Sequence, residues 1–120
     1  MTSSLRGICI IDLTVEIGAA GYHSGETGGI VPETFRVVRQ LLDRLDNSET
    51  GEVCAELQCP PPQWKLDEAK ALAQAAGKTM YEKYPIVDGA KWCHMDDLEK
   101  LYLKSTWEPN LSITGADNLP

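Results

Sequence analysis

From Ile11 to Ile17 the chain reads Ile-Asp-Leu-Thr-Val-Glu-Ile, apolar and polar residues in strict alternation with β-branched types well represented. A period of two cannot be wrapped on a helix without scattering the apolar side chains over every face, so it predicts a strand with one wet side. Ile8 and Ile10 extend the run backward, and the expected strand covers about Arg6 to Ile17.

A glycine-rich stretch then breaks the pattern. Gly18 to Gly29 holds Gly18, Gly21, Gly25, Gly28 and Gly29 around Tyr22-His23-Ser24. Such a density predicts a loop rather than a helix or strand, and lets backbone approach a ligand or another chain closely. Pro32 suits a first helical position, and Phe35, Val38, Leu41, Leu42 and Leu45 recur every three or four residues. A helix over Pro32–Leu45 is expected, ending in the polar turn Asp46-Asn47-Ser48. Val53–Leu57 reads as a short strand, closed by Cys59 and by Pro60, Pro61 and Pro62. Leu66 to about Tyr84 has helical spacing, with Gly77 as an interruption and Pro85 as the stop; Asp96–Leu103 is a shorter helix. Leu111-Ser112-Ile113-Thr114 alternates again before Gly115. The order is strand, glycine loop, helix, a mostly helical insert over about 47–106, then strand. Two strands alone do not make a stable sheet, so further strands or a neighbour are required.

Composition narrows the partners. The 120 residues suffice for one domain with a modest core, and 42% hydrophobic with 24% charged residues is ordinary for a globular chain. A net charge of −7 without a basic cluster argues against nucleic acid. No apolar run approaches the length of a membrane span, and MTSSLRG lacks the plan of a signal peptide, so a cytoplasmic protein with no membrane contact is expected. Cys9, Cys54, Cys59 and Cys93 are irregularly spaced, and reduced thiols are expected.

Among chemistry-bearing residues His23 stands out. A neutral imidazole between small neighbours can donate a hydrogen bond to a developing oxyanion; a solvent-facing loop histidine is the plainer alternative. Ser24 adjoins it, but adjacent residues rarely form a nucleophile–base pair, and turn closure through the backbone suits the hydroxyl better. Cys93-His94-Met95-Asp96 mixes possible zinc ligands without the paired short spacing of structural sites. The glycine stretch matches neither the dinucleotide fingerprint nor the P-loop.

Arg6-Gly7, a long strand, Tyr22-His23-Ser24-Gly25, Gly28-Gly29 and a helix together resemble the dimerisation domain of the di-zinc exopeptidases, peptidase family M-twenty, which includes carnosinases, cytosolic dipeptidases, aminoacylases and carboxypeptidases. Thr106-Trp107-Glu108-Pro109-Asn110-Leu111-Ser112-Ile113-Thr114-Gly115 is similar to that family's W-x-P-x-L-x-(V/I)-x-G strand. The resemblance covers nearly the whole chain, its middle only loosely. It implies an α+β fold, a two-layer sandwich with helices on one face of a small, mainly antiparallel sheet: a ferredoxin-like lid domain over residues 1–120, incomplete at its C-terminal end.

It further implies a homodimer in which His23 reaches the partner subunit's active site and polarises the scissile carbonyl, with Gly25, Gly28 and Gly29 positioning the loop against substrate. The two zinc ions and the catalytic glutamate belong to a catalytic domain of the same polypeptide, so this segment is expected to hold no metal and to be inactive by itself. The substrates implied are dipeptides, other peptides or N-acyl amino acids. Glu108 stands where dipeptidase-like relatives often carry an arginine, which puts substrate-carboxylate binding by this strand in doubt. A non-enzymatic interaction module, using an open sheet edge and the apolar helix face, is the competing reading.

Overall fold

A computed structural model describes residues 3–117. The expected sheet is not there. Among the described residues the only β pairing is an isolated antiparallel bridge between Asp46 and Val53, and the regular elements are helices. The α+β two-layer sandwich is therefore corrected to a helical chain with long irregular segments. The chain divides into two units, Ile8–Glu56 with Asn110–Pro120, and Met1–Gly7 with Leu57–Pro109.

The first of these contains residues 8–17 of the segment expected as a strand over Arg6–Ile17, whose first two residues belong to the other unit. Its residues carry no secondary structure, and Ile8, Ile10, Ile11, Leu13 and Ile17 are exposed. The alternation describes a face, but no neighbouring backbone supplies the ladder that would use it. Leu111–Thr114 fails as a strand for the same reason, and Ile113 lies open. The glycine stretch, expected as loop throughout, encloses one helical turn, α1 (Ser24–Thr27).

The second helix, α2 (Thr34–Leu42), is shorter than the expected Pro32–Leu45. Glu33 starts it, its carboxylate accepting from Phe35 N at 3.0 Å and Arg36 N at 2.7 Å. Leu45 instead enters a turn, where its carbonyl accepts from Cys54 N at 2.7 Å. Asn47 organises that turn, its side-chain oxygen accepting from Glu49 N at 2.9 Å and Thr50 N at 3.0 Å. The expected strand Val53–Leu57 is reduced to the Val53 bridge followed by a 3-10 turn over Ala55–Leu57.

In the other unit α3 (Gln63–Ala76) starts directly after the prolines, with Pro62 in an extended conformation as its cap. It ends at Gly77, whose φ of +54° turns the chain into a 3-10 helix, Gly77–Lys83. The helical stretch expected over Leu66–Tyr84 is thus two helices, divided at Gly77. Helix α4 (Leu98–Thr106) replaces the expected Asp96–Leu103; Asp97 caps it by accepting from Lys100 N at 3.0 Å. Helices α3 and α4 pack on each other, and Ala69, Tyr81, Leu101 and Tyr102 are the buried apolar residues of this unit.

Both buried tyrosines satisfy their hydroxyls. Tyr81 donates to the Cys93 carbonyl at 2.6 Å and Tyr102 to the Gly77 carbonyl at 3.2 Å. Burial, and then the neighbouring Cys93, Asp96 and Tyr102, raise the Tyr81 phenol above its ordinary value. Trp92 packs on Tyr81, and Trp107 stands edge-on to Trp64 with ring centres 5.9 Å apart, so the tryptophans serve packing. Residues 3–6 strap α3 and α4: Ser3 donates to the Glu68 carboxylate, Ser4 accepts from Lys65 Nζ at 2.9 Å, and Arg6 donates to the Lys104 and Glu108 carbonyls. A guanidinium on the last carbonyls of α4 is favourably placed against the helix dipole.

Candidate functional site

His23 is the N-cap of α1, held at φ −73°, ψ 124° just outside the helical turn. Its carbonyl accepts from Glu26 N at 3.0 Å and Thr27 N at 3.2 Å, and its Nδ1 accepts from Gly25 N at 3.0 Å. That last bond determines the ring chemistry. A nitrogen that accepts from an amide carries no proton, so the neutral ring holds its hydrogen on Nε2. The imidazole is exposed and offers one N–H donor.

The glycines assigned to positioning act locally. A Cβ on Gly25 would stand 2.9 Å from His23 Cε1 and 3.0 Å from Nδ1, so a side chain there would make the imidazole shift from its place on the Gly25 amide. Gly28 closes the turn by donating to the Ser24 carbonyl at 3.1 Å, and Gly29, at φ +83°, turns the chain out of it. The structure therefore gathers His23 with Gly25, Gly28 and Gly29 in one short motif.

The other sequence candidates are not gathered. Among the described residues no group of three His, Cys, Asp or Glu side chains could hold a metal, and Cys9, Cys54, Cys59 and Cys93 are unpaired thiols. His94 occupies a turn at φ +55°, apart from any ligand set. The motif from Trp107 to Gly115 is split: Trp107 caps the C-terminal end of α4, whereas Leu111–Gly115 belongs to the other unit and forms no strand. Glu108 pairs with Lys104, their charged atoms 2.6 Å apart, and an anionic side chain offers no donor to a substrate carboxylate.

Sequence reasoning passed over an open cavity of about 490 Å³ along α2, where Arg36, Arg39 and Gln40 face Asp43, Asp46 and Ser48. Arg36, Arg39, Gln40 and Asp43, spaced by three, four and seven, fall away from the apolar stripe already in the sequence, but Asp46 and Ser48 lie beyond the helix and carry no such period. None of the predicted site residues lines it. No helix among the described residues is long and apolar enough to cross a membrane. In the comparisons with known proteins, no family model matches the chain and no curated protein matches it at a significant level.

Proposed function

We propose that the chain is the lid and dimerisation segment of a zinc-dependent exopeptidase that cleaves dipeptides, peptides or N-acyl amino acids. His23 is its functional group, acting in the partner subunit's active site. The reading rests on the Tyr22-His23-Ser24-Gly25 and Gly28-Gly29 resemblance, and one structural observation supports it: the Gly25 amide on Nδ1 leaves an Nε2–H donor on an exposed loop. Such a donor suits the oxygen of a scissile carbonyl, where negative charge develops as water adds. A zinc pair held by a catalytic domain of the same polypeptide would activate that water. This segment contributes the donor and the loop that carries it.

In the intact enzyme His23→Ala should lower kcat by about 10²–10³, the usual cost of losing one oxyanion donor. Zinc content should be unchanged. Gly25→Ala should lower kcat while leaving the imidazole present, because the added carbon displaces the ring from its cap. Undiminished turnover in His23→Ala removes the assigned role.

The exposed apolar run Ile8–Ile17 favours a second reading, an interaction module without catalysis. Among the described residues there is no sheet edge for that reading to use, but the run itself and the half-exposed stripe of α2 remain. A polypeptide containing this chain that binds no zinc and hydrolyses no dipeptide would leave the interaction module as the better account.

A further inference from the structure

We infer that the open cavity along α2 is a binding site for a short zwitterion, a small organic molecule with a carboxylate at one end and an ammonium at the other. The inference goes beyond the assignment of His23 and does not depend on it.

The first ground is charge left unpaired. The cavity, about 490 Å³, is lined by Arg36, Arg39 and Gln40 of α2 and by Asp43, Asp46 and Ser48 at the helix end and beyond it. Among the described residues no hydrogen bond or ion pair takes up these six side chains. The Arg39 guanidinium lies 5.8 Å from the centre of the Phe35 ring, a contact that holds it while leaving its edge N–H groups to donate. Arg39 precedes Asp43 by one turn, the weaker order for an ion pair along a helix, which accounts for the two standing apart.

The second ground is the polarity of the helix. The last carbonyls of α2 carry partial negative charge and add to Asp43 and Asp46, so that end of the cavity draws a cation. The guanidinium groups of Arg36 and Arg39 draw a carboxylate to the other end. Glu33, three residues before Arg36, accepts from the Phe35 and Arg36 amides and is held at the helix start. A plain anion entering the cavity meets Asp43 and Asp46, and a metal cation meets the two arginines. A ligand that carries both charges satisfies both ends.

The third ground is a fixed frame of definite length. Asp43 N donates to the Arg39 carbonyl at 2.9 Å and Asp46 N to the Leu42 carbonyl at 3.1 Å, while Asp46 also bridges Val53. Ser48 belongs to the turn that Asn47 organises. Arg36 and Asp43 stand two helical turns apart, about 10.5 Å. A charge-assisted hydrogen bond of about 2.8 Å at each end leaves about 5 Å between the ligand's charges. A four-carbon ω-amino acid has that span, whereas an α-amino acid, with its ends about 2.5 Å apart, is too short.

Arginine Nε–H resonances, followed by NMR in the full chain, test the site with γ-aminobutyrate as the probe. The signals of Arg36 and Arg39 should move saturably. Butyrate, butylammonium and glycine at equal ionic strength should each bind about two- to fivefold more weakly, the range for exposed ion pairs. Arg36→Gln, at an exposed helix position, should weaken γ-aminobutyrate and butyrate and leave butylammonium unchanged. Asp46→Asn, with Asp43→Asn as its counterpart at an exposed position, should weaken γ-aminobutyrate and butylammonium and leave butyrate unchanged. No saturable movement, a singly charged probe or glycine binding as tightly as γ-aminobutyrate, or binding indifferent to Arg36→Gln or to both aspartate variants, each overturns the proposal.

Discussion

Lys65 is 1% exposed, the most enclosed polar residue described. Its ammonium is satisfied by Ser4 Oγ at 2.9 Å and Glu68 Oε2 at 3.2 Å, and its stem lies beside Trp64. Lys65→Met keeps the packing volume but strips the partner from both oxygens, so it should cost about 1–3 kcal/mol in urea unfolding and free the strap over residues 3–6 to exchange its amides. Glu68 answers to pH. The hydroxyl of Ser3, and then the Lys65 ammonium, hold its carboxyl below the ordinary carboxylate range. A depressed value means its contribution is present above the unfolded value, about 4.3, and disappears as pH falls through the folded one. Acid unfolding of Glu68→Gln should therefore lose steepness below about pH 4.3 relative to the parent; identical acid profiles would show that Glu68 contributes nothing. The site was legible at this scale only in part. Small neighbours around His23 marked it in the sequence, whereas the proton on Nε2 comes from a one-turn helix that five glycines within residues 18–29 gave every reason to exclude. Lys65 offered no signal at all, since its partner Ser4 lies 61 positions away.

At the scale of elements, helices were readable and strands were not, for a reason of bonding. Phe35, Val38, Leu41 and Leu42 announce α2 because a helix closes its hydrogen bonds within itself, and the apolar period then reports one face, which here is half-buried at most. The period at Ile11–Ile17 reports a face with equal clarity, but a strand's bonds belong to its neighbour, which no local pattern names. The start of α2 was misplaced where a side chain intervenes: Glu33, not Pro32, sets it. The interruption expected at Gly77 is where α3 ends. Gly77 combines φ +54° with ψ −126°, a conformation side chains avoid, and nothing lies within 4 Å of where a Cβ would stand. Gly77→Ala should then cost about 1–3 kcal/mol through backbone strain alone, measured by thermal or urea unfolding. A neutral effect would mean that α3 runs on into the following turn.

For the whole molecule, cover is shared unevenly between the two units. Among the described residues Ala69, Tyr81, Leu101 and Tyr102 give the unit of Leu57–Pro109 a buried centre, whereas Val53 is the single buried hydrophobic residue of the unit of Ile8–Glu56. Local opening is easiest where few apolar contacts are buried. In native-state hydrogen exchange the amides of α3 and α4 should therefore be protected more strongly than those of α2, and urea should release α2 first. Equal protection across α2, α3 and α4 would mean that the two units open together, and the uneven cover would then have no consequence for stability.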